Sequence, residues 1–557
     1  MGGALQEVGR AGRPTRFAPL PRALSLDAAS AVALGLVVVG LGGFVVLPVA
    51  RVLVEPGWAE WGRLLTQPRY LRLAGNTLLI AALSTVSAVA VGFLFAFATS
   101  RPDVPGRTLF KLVAILPLVS PPFVGGLAFI LLFGRRGVIT HSLLGLSGDI
   151  YGWHGVWLVQ TLAFFPIAYL TLAGVLRRIN PTLEYAAQDL GARGFARFRT
   201  VTLPLALPGL ASAALLVGIY TLSDFGNPML VGGPFKVLAT ETYTQVTGWG
   251  DLGTAAALST ALLVPSLMLF CLQRYALEGR GSHATVTGKG SFPAPPPTSP
   301  LLRGLLVAGC GLVALVLVAT YAGVFVGAFA RTWGVDWRFT IDNFEYTVFR
   351  GRQLWNSVRF AALAAAGGAV FAVLAAFLLQ RGRFPGRAVL DFAAVLPGAL
   401  PGTLLGVAYI LAFNTPPLAL TGTAAIVVAA MLFRTLPVGY RAAVAALAQI
   451  APSIEESAAD LGARPIRTLR DITLPLIRAA FTSAVVFTFV RSMNTLSAVV
   501  FLVSPGTVVA SASILALAEH GDWGQASAMA ASLMTAAFIV LLGFRLATGG
   551  RVRLFEL

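Results

Sequence analysis

The sequence predicts an all-α polytopic membrane protein of about twelve transmembrane helices, arranged as two parallel six-helix repeats. Three observations carry that prediction. Of 557 residues, 57% are hydrophobic and only 11% charged, with a mean hydropathy of +0.80. A soluble chain carries about 25% charged residues. Apolar runs long enough to cross roughly 30 Å of hydrocarbon as helix recur along the whole length. Finally, a polar, Arg-rich stretch, EYAAQDLGARGFARFRTVTLP (184–204), is written again 271 residues later as EESAADLGARPIRTLRDITLP (455–475).

The apolar runs place spans near 26–50, 74–98, 108–133, 153–176, 206–224 and 252–272 in the first half. In the second half they fall near 304–330, 356–379, 388–413, 421–442, 477–497 and 523–546. The first run follows Arg10, Arg13, Arg16 and Arg22 and is too long for the apolar core of a cleaved signal peptide. It reads as an uncleaved span. Proline and glycine inside spans, as in ILPLVSPPFVGG (115–126), are tolerated where neighbouring helices satisfy the freed backbone.

Charge sets sidedness. The net charge of +18 rests almost wholly on arginine, concentrated around 101–107, 177–199, 274–280, 381–387 and 464–470. By the positive-inside rule these loops, and both termini, face the cytosol; the base marks membrane topology, not nucleic acid binding. The opposite loops hold Glu55, Glu60, Asp149, Asp251, Asp336, Asp342, Glu519 and Asp522. The loop at 51–73, with Arg51, Arg63, Arg69 and Arg72, runs against the rule.

The repeated stretch belongs to a duplication of the whole half. AGNTLL near Asn76 answers LWNSVR near Asn356, RPDVPGR (101–107) answers RGRFPGR (381–387), and ILPLVSPPFVGG answers VLPGALPGTLLG (395–406), all displaced by 280 residues. The expected division is a first half at 1–278 with its core at about 74–275, a flexible Gly/Ser/Pro-rich linker at 279–303, and a second half at 304–557 with its core at about 354–546.

Each copy of the stretch, 180–204 and 452–475, has the grammar of helix, glycine, helix. Asn180–Pro181 and Pro452–Ser453 start the first helix, and Gly191 and Gly462 stop it. Leu203–Pro204 and Leu474–Pro475 are expected to turn the chain back into the next span. An amphipathic interfacial loop is the plain alternative. Retention of glycine and proline spacings in two diverged halves favours a docking element instead.

The spacing resembles the EAA loop of ATP-binding-cassette importer permeases, Glu-Ala-Ala, three residues, Gly, nine residues, Ile-x-Leu-Pro. It is matched by Tyr185-Ala186-Ala187…Gly191…Leu203-Pro204 and by Glu456-Ser457-Ala458…Gly462…Leu474-Pro475. The fused form looks most like ferric-iron permeases, FVRSMNTLSAVVFLVSPGT (489–507) above all. The resemblance implies a type I-like permease in a bacterial plasma (inner) membrane. It implies two copies of a cytosolic ATPase, each seated on one loop through Glu184, Tyr185, Ala187, Asp189 and Gly191 or Glu455, Glu456, Ala458, Asp460 and Gly462. A periplasmic or extracellular solute-binding protein delivers the cargo, and one chain supplies both halves. The family glutamate falls on Tyr185 in the first copy, so Glu456 is the expected ion-pairing residue toward the ATPase.

No phosphate-binding loop is legible. GKGS (288–291) has His283 where the motif needs glycine, and Gly290 follows the lysine. ATP and Mg²⁺ therefore belong to the partner; no cofactor, metal or catalytic set is expected in this chain. Cys271 and Cys310 lack partner spacing, and His141, His154 and His520 lack ligand spacing. Intramembrane charge is costly and usually functional, so Asp224 and Arg491, with Asn494, are expected on the translocation path as a polar gate or ion pair. Ferric iron is the leading cargo, with phosphonate, polyamine, thiamine and sulfate as alternatives for the same machinery. An ion-coupled secondary transporter would need acids or histidines in mid-span, and these are scarce.

Overall fold

A computed structural model describes residues 27–121, 123–146, 148–277, 294–382 and 384–547, with only the backbone at 346 and 480. Arg10, Arg13, Arg16, Arg22, the GKGS stretch with His283, Arg383, Arg551 and Arg553 lie outside the described residues. Among the described residues, ten helices are long and apolar enough to cross a bilayer, and two bent pairs raise that number to as many as twelve. The all-α expectation holds apart from one antiparallel hairpin, Ala330–Thr332 with Asp336–Phe339, closed through Gly334 at φ +75°.

Two expected spans are broken. The run at 108–133 is Arg107–Val119, an extended Ser120, and then Val124–Phe133. The run at 388–413 bends by 117° between Arg387–Gly398 and Gly402–Phe413. Prolines at 121, 397 and 401 remove amide donors and clash with the preceding turn. The freed carbonyls are satisfied from the second half. Asn494 Nδ2 donates to Val119 at 3.0 Å, and Arg434 Nη1 donates to Pro397 at 2.9 Å and to Leu400.

The halves repeat their internal packing. Gly92 of Pro68–Ser100 meets Ala168 of Trp153–Arg178 so closely that an added Cβ would lie 2.6 Å from the alanine Cβ. In the second half Gly439 meets Ala372 at the corresponding crossing, the glycine and alanine having changed helices. One small residue on each side lets backbones approach, which is how helices associate where lipid offers no hydrophobic drive. Asn76 donates to the Lys236 carbonyl, and Asn356 to those of Gly506 and Val508, so each half ties the N-terminal part of its long helix to the segment opposite.

The first helix of each half is exchanged. In Ala28–Val54, the side chains of Val37, Leu41 and Val45 are buried with Ala372, Phe377, Phe433 and Tyr440 of the second half, and Tyr409 donates to the Phe44 carbonyl at 2.8 Å. In Pro300–Phe329, Leu306, Cys310, Ala314 and Leu317 are buried with Phe95, Phe165 and Leu172 of the first half, and Tyr321 and Ser120 share a 2.7 Å hydrogen bond. Each half is therefore completed by the first helix of the other. The helix at Pro300 also begins inside the segment expected to be linker, and Ala294, Pro297 and Thr298 are hydrogen-bonded to the first half.

Two of the four arginines that run against the charge rule at 51–73, Arg63 and Arg69, are answered by nearby acids. Arg63 lies 2.8 Å from Glu60 and 3.9 Å from Asp251, and Arg69 lies 2.6 Å from the buried Glu241.

Candidate functional site

Two loops stand at the Arg-rich end of the bundle. In the first, the Asn180 side chain caps the helix Pro181–Asp189 by accepting from the Thr182 amide. Gly191, at φ +91°, closes it: its amide donates to Gln188 and the next one, Ala192, to Ala187. That pairing is the Schellman stop, which needs a left-handed residue and so a glycine. The second loop repeats it, with Pro452–Asp460, Gly462 at φ +83°, and bonds from Gly462 to Ala459 and Ala463 to Ala458.

Past the glycine, the chain does not turn at the expected prolines. Gly194–Leu222 is one continuous helix through Leu203 and Pro204. In the second half Leu474 and Pro475 are also helical, and the 82° bend falls after Leu476. In both copies a π-turn, Phe198–Thr202 or Leu469–Thr473, immediately precedes the leucine–proline pair. The wider turn gives the proline ring room beside the carbonyl four residues back, so helix continues where a break was expected.

The acids sort by face. Glu184 is 3% exposed and takes two hydrogen bonds from Arg101, at 2.6 and 2.7 Å, and one from Thr202 at 2.9 Å. Burial pushes its carboxyl up, but the Arg101 hydrogen bonds and charge and the Thr202 hydroxyl outweigh it and hold the group below its usual value. Arg101 also lies over the Phe97 ring at 4.6 Å. The second copy pairs Glu455 with Arg381 at 2.7 Å, with Thr473 donating at 3.3 Å. Arg381 and Glu455 are thus the repeats of Arg101 and Glu184. Tyr185 and Glu456 are exposed on the outer face, as are Asp189 and Asp460. Glu456 has no ion pair among the described residues, and Tyr185 donates to the Ala294 carbonyl at 3.0 Å. Ala458 is buried and Ala187 half-buried, where small side chains let the short helix lie close.

The sequence reading passed over Leu190 and Leu461. Each precedes the closing glycine and each is 89% exposed. A leucine so placed in both copies, with Leu183 and Phe195 or Ile454 also exposed on the same loops, is an apolar knob presented outward. Its signal was legible, because Asp-Leu-Gly-Ala-Arg is the longest identical run shared by the two stretches.

At the interface of the halves lies a cavity of about 160 Å³. The first half lines it with Phe123, Tyr220, Ser223 and Asp224, and the second with Arg434, Arg491, Asn494 and Thr495. The structure thus brings Asp224, Arg491 and Asn494 together, but Asp224 and Arg491 make no ion pair. Asp224 follows the end of Leu203–Leu222 and accepts from Gln160 and Asn227, both at 2.9 Å. Arg491, in the last turn of Arg478–Met493, lies 5.2 Å from the Tyr220 ring. Tyr220 and Arg491 are equivalent positions of the repeat, so they meet across the pseudo-twofold axis. Arg434 was missed because its span reads as apolar overall.

Cys271 and Cys310 are unbonded, and no group of three metal-ligating side chains occurs among the described residues. His154 contacts the Asp149 carbonyl and His520 that of Ala516.

Comparison with known proteins agrees with this geometry. The sequence profile described as "Binding-protein-dependent transport system inner membrane component" matches twice, over residues 88–278 and 368–551. The ferric transport system permease protein FbpB of Actinobacillus pleuropneumoniae is 36% identical over 496 residues, covering 86% of this chain and 72% of that protein. A ferric transport system permease protein FbpB 1 of Haemophilus influenzae is 37% identical over 461 residues, covering 80% and 72%. The molybdenum transport system permease protein ModB of Escherichia coli aligns at 31% over 215 residues, 37% of this chain and 93% of that protein. Two family matches on one all-helical chain, one for each loop-bearing half, lead to one conclusion: the chain belongs to the binding-protein-dependent transport system inner membrane components, as a fused, two-domain importer permease.

Proposed function

We propose that this chain is the translocation subunit of an ATP-driven importer for ferric iron. Two cytosolic ATPase subunits seat on the loops at 180–204 and 452–475, and a solute-binding protein docks on the opposite end. Both termini face the cytosol. Arg-rich loops at the loop-bearing end and acids at the other support that orientation. The iron reading rests on the ferric permeases that align over most of the chain.

The carrying observation is the duplicated clamp. Each short helix is tied inward by a Glu–Arg pair to the end of a long membrane helix, while its leucine faces out. A force applied to the leucine face by a closing ATPase reaches Pro68–Ser100 or Gln353–Arg381 through that ion pair. Each loop is then a lever and the cavity its target, the two-state element that a nucleotide must bias. Substrate crosses at the cavity between the halves.

The test is purification of the full chain with its ATPase and reconstitution in liposomes. Two ATPase copies per chain, hydrolysis stimulated by the iron-loaded binding protein, and ATP-dependent iron accumulation are expected. Accumulation driven by an ion gradient with no ATPase bound would overturn the reading.

A further inference from the structure

The charges lining the central cavity do not balance. Arg434 and Arg491 enter from the second half and a single carboxylate, Asp224, from the first. Asp224 is already served by the amides of Gln160 and Asn227. Among the described residues, no carboxylate lies within ion-pairing distance of either guanidinium. Arg434 is oriented by the carbonyls of Pro397 and Leu400, which do not neutralise it. Arg491 meets the rings of Tyr220 and Phe487, at 5.2 and 5.9 Å.

Neither charge is required by the architecture. The first half builds the equivalent helices with Ala163 and Tyr220 at the positions of Arg434 and Arg491. The broken helix of the first half has its freed Val119 carbonyl satisfied by a neutral amide, that of Asn494. A guanidinium at the second break therefore does more than a carbonyl needs. Beside the two arginines, Ser223 Oγ belongs to a lining residue that is 7% exposed, and it has no partner. The cavity, at about 160 Å³, far exceeds the roughly 10–15 Å³ of the same measure that one water needs.

We propose that this cavity is a transient site for an anion with oxygen acceptors. The cargo crosses either as a free oxyanion or as a ferric ion wrapped in oxygen-donor anions with net negative charge. Arg434 and Arg491 supply charge-assisted donors, and the Ser223 hydroxyl supplies a further donor. A bare trivalent cation, by contrast, would meet two unneutralised guanidiniums in a confined site, where like charges are screened least. The proposal rests on the reading of this chain as an importer's translocation subunit.

The test uses the full chain. In proteoliposomes with ATPase and binding protein, radiolabelled iron is supplied with differently labelled citrate, and labelled inorganic phosphate is supplied alone. Iron and citrate labels arriving together identify the wrapped ferric ion, and phosphate accumulating alone identifies the free oxyanion; either supports the site. Iron arriving with no anion label overturns it. Arg434→Gln and Arg491→Gln should each reduce uptake by about tenfold or more. Arg491→Lys should recover part of it, and parental uptake in the double glutamine variant overturns the site. Size-exclusion chromatography and ATPase co-purification check that each variant is folded. Calorimetric titration of the purified chain with ferric citrate and with phosphate reads the site without transport. Affinity about tenfold weaker in either glutamine variant supports it, and equal affinity overturns it. A parent that imports no probe on ATP addition overturns the proposed function, one that imports phosphate but no iron overturns its ferric-iron part alone, and this titration decides the anion site independently.

Discussion

The first loop grips its acid harder than the second does. Glu184 receives two hydrogen bonds from Arg101, and both side chains are 4% exposed. Glu455 faces one nitrogen of Arg381, whose other end is shared with the Leu447 and Ile450 carbonyls, and the pair is 10–15% exposed. The first loop is also strapped by its own chain. Tyr185 reaches Ala294, Arg197 reaches Pro297, and Thr298 donates to Asp103 through both its amide and its hydroxyl. The duplication has kept the position of each link while changing its stiffness. Equal motion of two ATPase subunits would then reach the two halves unequally.

Breaking the clamps should have the largest effect. Glu184→Ala strands a buried guanidinium and should cost about 3–5 kcal/mol. Glu455→Ala, with carbonyls still serving Arg381, should cost about 1–3 kcal/mol. Thermal unfolding in detergent reads both, and equal losses would erase the contrast. Next, Leu190→Ser and Leu461→Ser should each weaken ATPase binding by about 1.5–3 kcal/mol. Because both leucines are solvent-facing, unfolding should barely move.

Exchanging the outer residues, Tyr185→Glu with Glu456→Tyr, sharpens the comparison at about 0.2–1 kcal/mol, the scale of an exposed pair. Coupled ATPase activity should become more sensitive to salt through the first loop and less through the second. Acid titration probes the first clamp by itself. The folded-state pKa of Glu184 is depressed, so its stabilisation is complete above the usual value near 4.5 and fades as pH falls through the lower folded value. Glu184→Gln should flatten that acid limb of the stability curve. The most local effect belongs to Thr298→Val, which removes the hydroxyl bond to Asp103 and loosens the strap by about 0.5–1.5 kcal/mol. Hydrogen exchange should quicken at 294–299 and around Asp103 and leave the second loop unchanged.

Much of this was legible in the sequence. Helix stops at Gly191 and Gly462 followed from their need for a left-handed backbone, and the spans followed from hydropathy. The breaks at Ser120 and Gly398 were marked by prolines, but their angles depend on which neighbour caps the freed carbonyls. Continuity through Pro204 was hidden because a π-turn has no signature of its own. Glu184 was read as a docking residue because spacing counts positions and does not say which face turns inward; Arg101, its partner, lies 83 residues away. Arg434 was masked by the apolar residues around it. The exchange of first helices could not be read, since an apolar face fits lipid, its own half or the other half equally well.

That exchange has a consequence for how the protein is made. The helix Ala28–Val54 enters the membrane early, yet the elements packed against it run on to Thr468. At translation rates of about 5–20 residues per second, it waits ~20–80 s for them. Through that interval Val37, Leu41 and Val45 face lipid or a chaperone. Once both helices have crossed over, the two halves are clasped like linked arms. A protease cut between 279 and 293 should then leave both fragments migrating together.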